Sequence, residues 1–279
     1  MNGELYQVIA LASAASAWLR DPSAPSPELD ASTYAFIRSL TYALDDQPPT
    51  GSAVEPPEAT AAWLGGLRDR RVDRLWLALP GPSTQEVGGD AVGEHQLVAF
   101  AGAGSWHLLG TATDGSEEWF ASWRVGDRTD PNQRIRNVEY RGRRIPELLT
   151  PQQPDLEVAR STLGAALVEI QRFAAERELV PWTEVFAAAL ARLEPLTALS
   201  PDAVPAFADD RTALSPAHPP AAHELFAASE AAWVFGGMGS WNDLGFTDPE
   251  ENATYDRLSA DLYAAVLGGL LAATNAPLA

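Results

Sequence analysis

Hydrophobic positions along this chain follow a helical spacing, change to an extended one after residue 72, and return to the helical spacing after residue 154. Leu5, Ile9, Ala12 and Leu19 fall near one face of a 3.6-residue spiral, which predicts a helix at the start of the chain. Ser26-Pro27-Glu28 has the form of a helix start, with proline in the first turn and an acid favouring the dipole, so a second helix is expected there. A third is expected over about 58–71, with Trp63, Leu64 and Leu67 as its buried stripe.

Between 72 and 145 the runs are short and punctuated by turns. Segments 72–79, 96–101, 106–112, 118–125 and 135–141 are the predicted strands. Asp114-Gly115 marks a hairpin, because glycine accepts the positive φ of a tight turn. Connections this short favour an antiparallel meander of about five strands, since parallel neighbours need a crossover.

Leu156, Leu163, Leu167, Ile170 and Phe173 then give one apolar face on a long helix. Further helices are expected after Pro181, over about 221–235 and over 249–273. The last starts most clearly, with Asp248 as cap, Pro249 at the first position, and Glu250 and Glu251 in the first turn. The predicted fold is α+β: N-terminal helices, a central antiparallel sheet, and C-terminal helices packing on it. Residues 1–279 read as one domain, with a possible subdivision into 1–194 and 221–279 across the Pro-rich 195–220.

Composition narrows the chemistry. All 19 basic residues are arginine, and cysteine is absent. No phosphate-loop lysine, Schiff-base lysine, thiol nucleophile, disulfide or cysteine–metal site can be built, and no cofactor motif is read. The formal charge is −19, divided as −6 over residues 1–59, −1 over 60–150 and −12 over 151–279. Such a molecule repels phosphate backbones and anionic lipid heads, so neither nucleic acid nor membrane is expected as a partner. No positive charge precedes the apolar run 8–19, and the apolar segment 262–273 is shorter than a bilayer span. A cytoplasmic protein is the expectation.

One phrase occurs twice: residues 100–110 and 235–245 match at 7 of 11 positions around a Gly-Ser-Trp core. The second copy sits between two predicted helices and ends in polar residues. Ser240, Trp241, Asn242 and Asp243 are therefore the candidate ligand or partner loop, the alternative being a helix-to-helix turn anchored by Trp241. Arginines concentrate at 68–74 and 124–144, where Arg134, Arg136 and Arg141 are anion-binding candidates unless the chain's own 38 acids engage them.

Other constellations are weaker. His218, His223 and Glu224 lack the spacing of a metal-binding helix, and no metal site is assigned. A Ser/His/Asp triad can be drawn from Ser105 or Ser240 with His107 and Asp114 or Asp243, but neither serine lies in G-x-S-x-G, so no catalytic residue is named. Trp119 and Trp123 share one strand face, as a stacking platform or as core.

The reading that follows is a protein-binding module with a basic partner, an immunity or antitoxin type inhibitor being one form of it. The alternatives are an enzyme or small-ligand binder built on the 236–243 loop and the 124–144 arginines, and a subunit that self-associates through its C-terminal helix.

Overall fold

The computed structural model describes residues 1–21, 23–45, 54–79, 85–87, 90–98, 104, 106–194 and 213–278. Helix α1 (Gly3–Arg20) is capped by Asn2, whose side chain accepts from Glu4 N at 2.8 Å. Most of its residues are buried, because it packs along the sheet and also touches the last helix.

No helix follows Ser26-Pro27-Glu28. The chain makes a 3-10 turn at Ala31–Tyr34, passes through Phe36 at φ 65°, and enters strand β1 (Ile37–Leu44). In that strand Leu40, Tyr42 and Leu44 turn inward at a spacing of two. Helix α2 (Pro56–Asp69) follows, then β2 (Val72–Ala78). After β2 come a two-strand ribbon, β3 (Gln85–Val87) and β4 (Asp90–Val92), and a single helical turn, α3 (Glu94–Leu97), whose end occupies the start of the strand expected at 96–101. Residues 99–101 lie outside the described residues.

Strands β5 (His107–Ala112), β6 (Gly115–Val125) and β7 (Arg136–Ile145) form the expected meander. Thr113 and Asp114 make the hairpin turn, and Gly115 is required at its exit. Its φ is +153°, and a Cβ there would lie 2.6 Å from Ile145 O. The sheet order is β1-β7-β6-β5-β2, and β1 runs parallel to β7. The sheet is thus mixed rather than purely antiparallel.

Its inner face is aromatic. Tyr42 stacks on Trp63 of α2 at 4.4 Å and on Tyr140 at 5.2 Å, while Trp119 meets Trp63 edge-on at 5.4 Å. Trp119 is fully buried and Trp123 packs half-buried on the same core, so this pair is packing rather than a platform. The Tyr140 hydroxyl donates to Gln7 Oε1 at 2.9 Å, tying the sheet to α1. Burial pushes the Tyr42 and Tyr140 hydroxyls well above the ordinary phenol range.

The β2 edge is sealed by side chains. Ser16 Oγ accepts from Leu75 N at 3.1 Å and donates to Leu75 O at 2.5 Å. Asn275 Oδ1 accepts from Leu77 N at 2.9 Å, while its Nδ2 donates to Leu77 O at 2.8 Å and Gln152 O at 2.7 Å. Main-chain groups that would otherwise template another strand are thereby satisfied.

Helices α4 (Leu156–Glu176), α5 (Val180–Ala191), α6 (Pro220–Ala231) and α7 (Pro249–Asn275) form the C-terminal layer. Asp248 caps α7, accepting from Glu250 N and Glu251 N at 2.9 Å each, worth about 1 kcal/mol. Its predicted stripe of Tyr255, Leu258, Leu262, Val266 and Leu270 is buried. With 27 residues, α7 is long and apolar enough to cross a membrane by length and composition, but its position against α4, α6, α1 and β2 is that of a core helix. One apolar core runs from the sheet through α1 into this layer. Residues 195–212 lie outside the described residues, as does most of the Pro-rich segment.

Candidate functional site

The chain leaving α6 turns back toward α7 through the Gly-Ser-Trp phrase. Ser240 Oγ donates to Gly236 O at 3.0 Å and accepts from Asn242 N at 3.3 Å, starting a 3-10 turn at Trp241–Asp243. Gly239 sits at φ +86°, which glycine adopts freely, and its N–H donates to the Asp243 carboxylate. Asp243 is therefore occupied in shaping its own loop.

Trp241 is fully buried. Its Nε1 donates to Ser259 Oγ at 2.8 Å, and its ring meets Trp182, Phe186 and Tyr255 at 5.5, 5.1 and 5.3 Å. The Tyr255 hydroxyl donates to Trp241 O at 2.6 Å. This tryptophan fixes the loop and presents no surface to a ligand. Asn242 Nδ2 donates to His95 O at 2.8 Å, joining the loop to α3. The buried Asn242 Oδ1 and His95 Nε2 have no hydrogen-bond partner among the described residues. Burial pushes the His95 imidazole below its ordinary value, with the Asp256 charge opposing.

Among the described residues, Ser240 of the four loop candidates lines one of two cavities. The volume of that cavity is about 560 Å³, and its walls include Trp182 and Val185 of α5, Trp233, Phe235, Gly236, Val98 and the first three residues. Trp233 is held by a bond from its Nε1 to Phe235 O at 2.7 Å and by edge contacts with Phe235 and Tyr263, both at 6.1 Å. Glu230, at the end of α6, acts electrostatically on the Met1 amine, which burial pushes below its ordinary value. A second cavity of about 570 Å³ is an apolar groove between α4 and α7, floored by Val158, Ala165, Ala264 and Gly268.

The arginine candidates lie elsewhere. Arg134 pairs with Glu55 at 2.9 Å, Arg141 pairs with Glu139 at 3.0 Å, and Arg136 opens β7 with its N–H on Phe36 O at 2.8 Å. Among the described residues, no hydrogen bond, ion pair or ring contact joins these three to the 236–243 loop. Three arginines of the 68–74 run are engaged within the fold, while Arg71 is exposed. Arg68 bonds to Trp18 O and Asp21 O, Arg70 grips Glu117 at 2.6 and 3.2 Å, and Arg74 bonds to Asn275 O and Ala276 O.

The remaining combinations also separate. His107 lies on the outer sheet face, 3.6 Å from Glu118 and stacked on Phe120 at 4.5 Å. Ser105 lies outside the described residues. His218 is buried, its Nδ1 3.3 Å from Ser13 Oγ and its Nε2 3.1 Å from Thr274 O, while Glu224 pairs with Arg160 at 2.6 Å. No group of three or more metal-ligating side chains converges among the described residues.

Sequence reasoning missed the aromatic cavity. Trp182, Trp233 and Phe235 lie on two segments about 50 residues apart, and only the packing of α5 against α6 brings them together. Known proteins offer no template for this site: no family model matches the chain, and neither a curated protein nor a solved structure matches it.

Proposed function

We propose that this chain is a protein-binding module whose partner is basic. The observation that carries the reading is the fate of its arginines. Arg38, Arg70, Arg134, Arg141, Arg143, Arg144, Arg160, Arg172, Arg177 and Arg257 are each paired with an acid of the same chain. Arg20, Arg68, Arg74 and Arg192 are bonded to main-chain carbonyls. Meanwhile Glu157, Glu178, Glu184 and Glu194 stand exposed on α4, α5 and the adjoining turns. Fourteen arginines are thus engaged within the chain, although Arg71, Arg124 and Arg128 are exposed, and the net excess is negative, strongest where the sequence carries −12. A field of that sign steers a basic surface into contact and repels acidic competitors. An inhibitor that masks a basic effector is one form of this module.

The test is capture by the immobilised chain from an extract of its source cells, with elution by rising salt. Retained proteins are expected to be basic and to leave as salt screens the charges. Retention of neutral or acidic proteins alone, or release insensitive to salt, would refute the reading.

A further inference from the structure

We propose that the groove between α4 and α7 receives an amphipathic helix of the partner, its apolar face laid on Val158, Ala165, Ala264 and Gly268 and its basic flanks set against Glu157, Glu169 and Asp261. The proposal rests on the protein-binding reading and names the surface at which the partner is held.

The groove is apolar and open. The end of α4 meets the start of α7 through Arg177 and Glu251 at 2.5 Å, so the two helices run antiparallel and leave a furrow of about 570 Å³ between them. Val158 is 64% exposed, and Ala165 and Ala264 are exposed with it. The two adjacent glycines of α7 differ in use. A Cβ on Gly269 would collide with Ser229 Oγ, so that glycine lets α6 approach, whereas a Cβ on Gly268 would meet no other group within 4 Å among the described residues. Glycine inside a helix weakens it relative to alanine, and at Gly268 no close approach within the described fold offsets that.

The chemistry of the walls selects a helix. Thr162 Oγ1 donates to Val158 O at 2.8 Å, and the main-chain groups of both walls bond within their own helices. A strand or loop laid there would bury main-chain groups without partners, while a helix brings its own already satisfied and offers a row of side chains every three to four residues. From Val158 to Glu169 the α4 wall extends about 17 Å, or about three turns.

Charge selects the flanks. Glu157 stands exposed beside Val158. Glu169 is held by Arg172 at 2.6 Å and Asp261 by Arg257 at 3.0 Å, exposed pairs that contribute little and exchange readily with a partner's cations. Residues 151–279 carry −12, so a second copy of this chain would set like charge against like charge across the groove, and a basic helix would not.

The experiment titrates a fluorescein-labelled peptide of about 18 residues, with leucine and alanine on one helical face and arginine on both flanks, against the full chain and reads fluorescence anisotropy. One control peptide has the same residues in an order that gives no apolar face, and a second has glutamate in place of arginine. The parent is expected to bind the first peptide with a dissociation constant of about 10–100 µM and each control about tenfold or more weakly. Gly268→Leu fills the groove and removes a poor helix former, so its melting temperature should equal or exceed the parent's while the first peptide binds about tenfold or more weakly. Val158→Arg sets a positive charge against the peptide at an exposed position and should weaken it similarly. Binding unchanged in both variants, equal binding of the three peptides, or no binding by the parent overturns the proposal. A concentration-dependent dimer in sedimentation equilibrium that Gly268→Leu dissolves also overturns it, by making a second copy the occupant. A basic protein captured equally by the parent and both variants overturns the groove and leaves the protein-binding reading standing. Failure of the parent to capture any basic protein overturns both.

Discussion

Asn275 closes the β2 edge, and its replacement by alanine gives a sharp test of how this fold is held. The side chain is almost fully buried and makes three hydrogen bonds, two with Leu77 and one with Gln152 O. Each contributes about 1 kcal/mol net, and main-chain groups left buried without a partner cost more. Asn275→Ala should therefore destabilise by roughly 3–5 kcal/mol, lowering the melting temperature by about 6–12 °C for a chain of this size. Asn275→Asp should be worse at neutral pH, because it sets a carboxylate oxygen against two carbonyls that now meet a donor at 2.8 and 2.7 Å. Protonating that carboxyl restores a donor, so the aspartate variant should gain on the alanine variant as pH falls. Urea unfolding at several pH values reads both effects. If both variants lie within about 1 kcal/mol of the parent, or the aspartate variant shows no relative recovery in acid, the side-chain seal does not hold the edge.

Three further outcomes follow from buried groups. Arg70→Ala leaves the Glu117 carboxylate buried beside Trp119 Nε1 and should cost about 3–5 kcal/mol in urea unfolding, whereas Arg70→Met with Glu117→Leu should recover most of it; a double variant as unstable as the single would contradict this. Trp241→Ala should cost about 3–5 kcal/mol by emptying the aromatic cage around the loop, while Ser240→Ala stays within about 1 kcal/mol; thermal melts showing equal losses would remove Trp241 as the anchor. Burial holds the His218 imidazole below its ordinary value, so below about pH 6.5 the unfolded chain binds a proton that the folded one does not. Its contribution is present above that pH and is lost as pH falls toward the folded value, so the stability gap between the parent and His218→Gln should narrow from pH 7.5 to 5.5; a constant or widening gap would contradict it.

The elements that sequence predicts well are those whose signals are local. Asp248-Pro249-Glu250-Glu251 carries its own cap, and the Leu163, Leu167, Ile170 and Phe173 stripe carries its own face, so both helices lie close to where the spacing puts them. Strand β1 is not among the predicted elements because its partner β7 is about 100 residues away, and the helix expected at Ser26-Pro27-Glu28 is absent because a Pro-Glu start is a weak signal without an apolar face behind it. That parallel pairing is also what makes the sheet mixed. At the candidate site, the Gly-Ser-Trp phrase located a real turn but not its use. Trp241 anchors a helix-to-helix turn, the alternative that the sequence offered to a ligand loop, and is buried by three aromatic rings drawn from α5 and α7. The cavity beside it is built from side chains that no single window of sequence contains.

The central claim is that outward-facing negative charge selects a basic partner. The most direct measurement is the dissociation constant for the captured partner over roughly 50–300 mM salt, where screening lengths fall from about 14 to 6 Å. Affinity that weakens steadily with salt, and weakens again when Glu157 and Glu184 are changed to glutamine, is the expected result. Affinity that stays flat or rises with salt would contradict the claim and make apolar contact, rather than charge, the basis of recognition.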